Sequence, residues 1–135
     1  MRPLTHDTLR GNWATLLLAT DRRGEIDFSR QSDEIDVLIA SKPDGIYSNG
    51  TAGEFYSQNR DEFLRISRLL AEKCEAAGTA FQIGVSHPCA QESLARLQLV
   101  RGLKPGAVQV ILPDWFPVSD AEAVDFLKVM EQEAE

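Results

Sequence analysis

Hydrophobic and polar positions along this chain alternate between two textures. Short, near-continuous apolar runs, Trp13 to Ala19, Gly45 to Tyr47, Ala80 to Val85 and Ala107 to Leu112, read as strands covered on both faces. Between them, apolar side chains recur at helical spacing. Phe28, Ile35, Leu38 and Ile39 mark a helix over roughly 28–41, with Asp27 placed to cap it. Phe63, Ile66, Leu69, Leu70 and Cys74 mark a second, opened by the capping box Asn59…Glu62 and stopped at Gly78. Leu94, Leu97 and Val100 mark a third, between Pro88 and Leu103. Val124, Leu127 and Met130 mark a fourth, behind the box Ser119…Glu122. The rhythm is four βα units of about 30 residues, which predicts parallel strands joined by right-handed crossovers in one domain spanning 1–135. Periodicity fits an open flavodoxin-like sheet as well as part of a barrel. No strand is followed by a phosphate-cradling Gly-x-Gly-x-x-Gly or a P-loop.

Composition narrows the function classes. A net charge of −7 and no basic cluster longer than Arg22-Arg23 argue against nucleic acid, which needs a basic patch. Two cysteines, Cys74 and Cys89, are too few for a disulfide scaffold and lack metal-ligand spacing, so free thiols, buried or half-buried, are expected. Met1-Arg2-Pro3-Leu4 lacks the apolar core of a signal peptide. The apolar run Ala14 to Ala19 falls far short of the ~20 residues of a membrane span. A cytoplasmic protein without membrane contact is expected.

The chemistry concentrates in Asp44 to Phe55, where the second strand breaks into a hydroxyl- and glycine-rich loop before a long helix. Gly50 and Gly53 permit a sharp turn and let a ligand approach backbone N–H groups. Thr51 between them can both donate and accept. Asn49-Gly50 is equally a common hairpin turn, and that structural reading stands beside the functional one. The order strand, loop, helix favours function, because parallel α/β folds place chemistry beyond the C-terminal ends of their strands.

Gly50-Thr51-Ala52-Gly53-Glu54 resembles the Gly-Thr/Ser-Thr-Gly-Glu motif of the dihydrodipicolinate synthase/N-acetylneuraminate lyase family. Gly11-Asn12-Trp13-Ala14-Thr15 with Gly24-Glu25-Ile26-Asp27 is similar to that family's first strand and the start of its first helix. Arg60-Asp61-Glu62, Ile83-Gly84-Val85, Val108 to Pro113 and Ser119 match its later elements in order. The resemblance implies a TIM (β/α)8-barrel type of fold of which only the first four units, a half-barrel, are present. It implies a lyase or aldolase that joins or splits a 2-oxo acid (pyruvate) and an aldehyde through a Schiff base, as a homo-oligomer, with no metal or organic cofactor. Thr51 matches the family's proton-relay hydroxyl, and Gly50, Thr51, Ala52 and Gly53 its carboxylate-holding loop. Ala52 replaces a usual threonine, which removes one side-chain hydrogen bond worth about 1 kcal/mol and points to a substrate other than that of lysine biosynthesis.

The resemblance also says what to expect missing. The family's Schiff-base lysine and one relay tyrosine lie on later strands, and would fall beyond Glu135. Trp115 takes the place of a second tyrosine, and an indole donates one hydrogen bond but relays no proton. Lys42 and Lys104 fall in turns before strands, Lys73 and Lys128 on helices. None follows a strand, so all four are expected at the solvated surface. His87 reads as a helix-start residue rather than a base. Glu54 is expected to tie its own loop. Trp115 and Phe116 either line a pocket with Asp114 or plug the barrel mouth. Three functions are therefore expected to compete: part of a Schiff-base lyase, a non-catalytic half-barrel binding a small carboxylate or phosphate, and a fragment without activity. Four strands would also leave two open edges. Leu16, Leu18, Ile46, Ile83, Val85, Val108, Val110 and Leu112 are expected to leave apolar surface on the inner face, favouring self-association.

Overall fold

The structure is a computed structural model that describes residues 2–112 and 117–134. Four βα units follow one another: β1 (Trp13–Thr15), α1 (Phe28–Ala40), β2 (Gly45–Ser48), α2 (Arg60–Ala77), β3 (Phe81–Gly84), α3 (Ala90–Val100), β4 (Ala107–Gln109) and α4 (Asp120–Ala134). All strand pairs are parallel and the order is β1-β2-β3-β4. That order decides between the two architectures the periodicity left open. A flavodoxin-like sheet reverses its strand order and puts helices on both faces. Here each strand adds to the same side and α1, α2, α3 and α4 pack in succession. The sheet is an arc of a singly wound barrel.

The helix signals act as read. Asp27 caps α1 by accepting from Ser29 and Arg30 N–H. Asn59 and Glu62 form the full reciprocal box at the start of α2, and Gly78 closes it with φ of 68°. Ser119 and Glu122 pair in the same way ahead of α4.

Two strands, β1 and β4, end well short of their apolar runs. Past Leu16 the backbone bonds to side chains of α1 instead of to a strand. Leu17 N–H donates to Glu34 and Ala19 N–H to Gln31, whose amide donates back to the Leu17 carbonyl. Past Val110, the Ile111 N–H donates to the Ser86 hydroxyl.

Register and burial separate the two faces of the sheet, since side chains alternate along a strand. Leu16, Ile46, Phe81, Ile83 and Val85 join Phe63, Ile66, Leu70 and Leu97 in the core under the helices, with Val108 and Val110 packed against it. Trp13, Thr15, Tyr47, Gln82 and Gln109 take the other alternation and are half-buried on the inner face. The expected inner apolar patch is therefore corrected. Those aliphatic side chains line the helix side, except Leu112, which is exposed past β4, and the open face carries aromatic, hydroxyl and amide groups. Cys74 is buried as expected, but Cys89 is exposed. Among the described residues no helix is long and apolar enough to cross a membrane, and no cluster of His, Cys, Asp or Glu could hold a metal.

Candidate functional site

The loop between β2 and α2 folds back over the C-terminal edge of the sheet. Asn49 takes the left-handed region at φ 55°, a conformation asparagine tolerates better than most side chains. Its amide donates to the buried Ser67 hydroxyl of α2. Gly53 is pressed inward: a Cβ there would lie 2.9 Å from the Leu16 carbonyl oxygen and 3.3 Å from the Asn49 nitrogen. Gly84, at the end of β3, lies so close under the Asn49 carbonyl that any Cβ would collide with it. Gly50 sits beside the Tyr47 ring, with the Gln109 carboxamide near it. Glycines are thus required at three points because backbone meets backbone or ring.

This packing turns Thr51 and Ala52 outward, where both are exposed, and keeps Gly50 and Gly53 buried. Glu54 N–H donates to the Thr51 carbonyl and Phe55 N–H to that of Gly50. The N–H groups of Thr51, Ala52 and Gly53 have no acceptor among the described residues. The loop therefore presents a hydroxyl and unpaired donors in sequence. Glu54 does not do what was expected of it. Its carboxylate makes no hydrogen bond among the described residues, and its backbone closes the turn instead, with the carbonyl accepting from Ser57 N–H and Oγ.

Behind the loop is a polar support that residue types alone did not reveal. Gln58 donates from Nε2 to the Gly53 carbonyl at 2.9 Å. Arg96 of α3 is only 2% exposed. One terminal nitrogen donates to the carbonyls of Phe55 and Ser86, at 3.1 and 3.0 Å, and the other to that of Gln58 at 3.2 Å. Its Cζ stands 4.9 Å from the centre of the Phe63 ring. Burial pushes the Arg96 pKa down, and nearby Glu92 partly restores it. Arg60 and Glu92 make a two-pronged pair at 2.8 and 2.6 Å that ties the starts of α2 and α3 together.

The other expected residues fall as follows. His87 follows β3, and its Nδ1 accepts from Cys89 N–H while its carbonyl accepts from Ser93, so it shapes the start of α3. Lys73 pairs with Asp36 at 2.6 Å and Lys128 with Asp125 at 3.5 Å, both on helices. Lys42 and Lys104 adopt positive φ in the turns before β2 and β4. Trp115, with Asp114 and Phe116, lies outside the described residues. The larger hollows lie elsewhere, one of about 390 Å³ below β4 near Pro3 and Arg101, and one of about 530 Å³ beside Phe28 and Arg65. At the strand ends, among the described residues, a small hollow of about 20 Å³ lies between Phe55, Ser86, His87 and Ile111. A site on an open arc has no opposite wall, so enclosed volume does not locate it.

Comparison with known proteins agrees with the sequence and the sheet order. A sequence model of the dihydrodipicolinate synthetase family matches residues 8–130. The chain is 33% identical over 107 residues to a 4-hydroxy-tetrahydrodipicolinate synthase of Thermomicrobium roseum, covering 78% of this chain and 34% of that protein. It is 27% identical over 128 residues to an N-acetylneuraminate lyase of Citrobacter koseri, covering 94% and 42%. Among solved structures, CdNal from Clostridium difficile in complex with mannosamine superposes with a TM-score of 0.86 at 20% identity, over 93% of this chain and 43% of that one. A prophage protein of the dihydrodipicolinic acid synthase family from E. coli, in complex with pyruvate, gives 0.85 at 22% identity, over 93% and 42%. The chain spans 34% to 42% of the length of these curated relatives. Its fold is half of a TIM (β/α)8 barrel.

Proposed function

Since this chain belongs to the dihydrodipicolinate synthetase family, we propose that residues 1–135 act as one domain carrying the carboxylate-holding part of a pyruvate-dependent Schiff-base lyase. One observation carries this reading. Thr51, Ala52 and Gly53 present consecutive N–H groups that have no acceptor among the described residues, at the C-terminal end of β2 and beside the Thr51 hydroxyl. Consecutive backbone donors in a turn form a concavity suited to an anion. In the proposed site these donors hold the carboxylate of a 2-oxo acid. Thr51 Oγ1 stands ready to accept and pass on a proton. Gly50 and Gly53 keep side chains out of the way, and Trp115 is assigned to substrate binding by its match to the family's pattern alone.

The carbon–carbon step needs a desolvated amine as nucleophile. None of the chain's four lysines follows a strand, so these residues supply binding rather than the nucleophile. The whole protein would act on a pyruvate-like acid and an aldehyde, in the cytoplasm, as a homo-oligomer. The exposed Thr51 hydroxyl and unpaired N–H groups also favour a second reading, a non-catalytic half-barrel that binds a small carboxylate or phosphate.

Two measurements separate these. Pyruvate with borohydride should leave the chain's mass unchanged, whereas a saturable adduct on a single lysine would overturn the division of labour. Titration of labelled chain with pyruvate, acetate and phosphate should move amide signals from Gly50 to Phe55. Shifts confined to other parts of the chain would refute the carboxylate site, and a preference for phosphate over both carboxylates would favour the second reading.

A further inference from the structure

Arg96 is an unusual side chain to find where it is. It lies on the buried stripe of α3 beside Ser93, Leu97 and Val100, yet among the described residues it has no carboxylate within ion-pair distance. The nearest acid acting on it, Glu92, is committed to Arg60. Buried charges are normally paired. Here the partners are three backbone carbonyls, held by the two terminal nitrogens, and the face of Phe63. The buried Nε has no acceptor among the described residues, and no carboxylate there offsets the positive charge.

Those carbonyls come from particular places. Phe55 and Gln58 lie on the return limb of the loop that carries Thr51, and Ser86 lies just past the end of β3. Gln58, whose carbonyl is held by Arg96, uses its own side chain to hold the Gly53 carbonyl. A continuous chain of contacts runs from the guanidinium to the peptide unit that follows the proposed anion donors. Among the described residues, no acidic side chain lies in this chain to neutralise it.

We propose that Arg96 is the positioning residue of the anion site. Its guanidinium fixes residues 53–58 against the end of β3, and its unpaired charge sits beneath the loop as a standing attraction for a bound carboxylate. The inference rests on the reading of Thr51 to Gly53 as a carboxylate site and adds a residue on a different helix, 41 positions from Phe55. A charge in a low-dielectric interior acts over longer range than one in water. The ligand it favours is an anion, and an uncharged molecule of the same shape gains only from the loop's geometry.

The test titrates labelled full chain with acetate and with acetamide, reading amide signals of residues 50–55, in the unaltered protein and in Arg96→Met, Arg96→Lys and Thr51→Val. Arg96→Met should weaken acetate binding about tenfold and the weaker acetamide binding by clearly less, through the loosened loop alone, while Arg96→Lys recovers part of the loss. Equal loss for both probes, or acetate affinity unchanged in a folded Arg96→Met, overturns the proposal. If Arg96→Met does not fold, Arg96→Lys decides. It should keep the acetate preference while signals from 53–58 shift, and loss of that preference overturns the proposal. Weakened binding in Thr51→Val beside an indifferent Arg96→Met removes this inference alone. An unaltered chain whose 50–55 signals ignore acetate removes the loop reading, and this inference with it.

Discussion

At the scale of single residues, the loop depends on atoms that are absent. Gly53→Ala would place a methyl group 2.9 Å from the Leu16 carbonyl oxygen, and Gly84→Ala would drive one into that of Asn49. Both neighbours are backbone and cannot swing away, so each substitution should cost about 1–3 kcal/mol by overpacking. Chemical denaturation measures this, and an unchanged midpoint would show that the loop is not held as described. Gly24→Ala is the contrast, since nothing lies within 4 Å of its missing side chain and only its positive φ resists. Cys74 behaves as a core residue, with burial pushing its thiol up to about 12, so thiol reagents should modify exposed Cys89 first. The glycine and threonine pattern of the loop was legible in the sequence because those residue types have few other reasons to cluster. Arg96 and Gln58 were not. An arginine among apolar helix positions is usually a solvated edge, and only the fold brings it to carbonyls of the distant loop.

At the scale of elements, α1 and α2 were legible to within a residue or two, since capping residues and a terminal glycine mark their ends chemically, whereas α3 stops at Val100, three residues before the expected Leu103. The strands were less so, because an apolar run does not say where its backbone bonds go. After Leu16 those bonds pass to Gln31 and Glu34 of α1, and that clamp gives a pH-dependent prediction. Burial raises the Glu34 pKa, and the Leu17 N–H lowers it by less. The folded chain therefore holds this proton to higher pH than the unfolded chain does. Its stabilising contribution is complete below the ordinary carboxylate range and is lost as pH rises through the elevated folded value. Glu34→Gln keeps an acceptor for Leu17 N–H and removes the charge, so it should flatten that fall in melting temperature. An identical pH profile in both proteins would contradict the assignment. The Arg60–Glu92 pair has the opposite sign. Glu92 is held below its usual range by the Arg60 hydrogen bond, so whatever the pair adds is present at neutral pH and disappears on acidification. At the start of α2, Asn59→Ala should cost about 1 kcal/mol, measurable by denaturant unfolding.

At the scale of the whole molecule, the half-barrel is unfinished on one face and at both edges. Among the described residues β1 and β4 each pair on one side only, and unpaired edges are templates for further strands. The end helices echo this, with Val37 of α1 67% exposed and Val124, Leu127 and Val129 of α4 between 42% and 48%. In a closed ring of eight, α1 and α4 would each gain a neighbour that α2 and α3 already have. Chain 1–135 by itself should therefore associate, most simply as a two-fold pair that sets β4 of one copy against β1 of the other. Sedimentation at micromolar concentration should show a species heavier than 15.0 kDa. A monodisperse monomer with a sharp cooperative melt would mean that the face closes some other way. The sequence pattern placed four βα units in order, but could not say which alternation faced inward, because buried parallel strands are apolar on both sides of their pleat. The reading of the molecule as the carboxylate-holding part of a lyase is tested most directly by crystals of this chain soaked in pyruvate. The account predicts pyruvate with its carboxylate on the N–H groups of Thr51 to Gly53 and within reach of the Thr51 hydroxyl. Pyruvate bound elsewhere, with that loop empty, would contradict it.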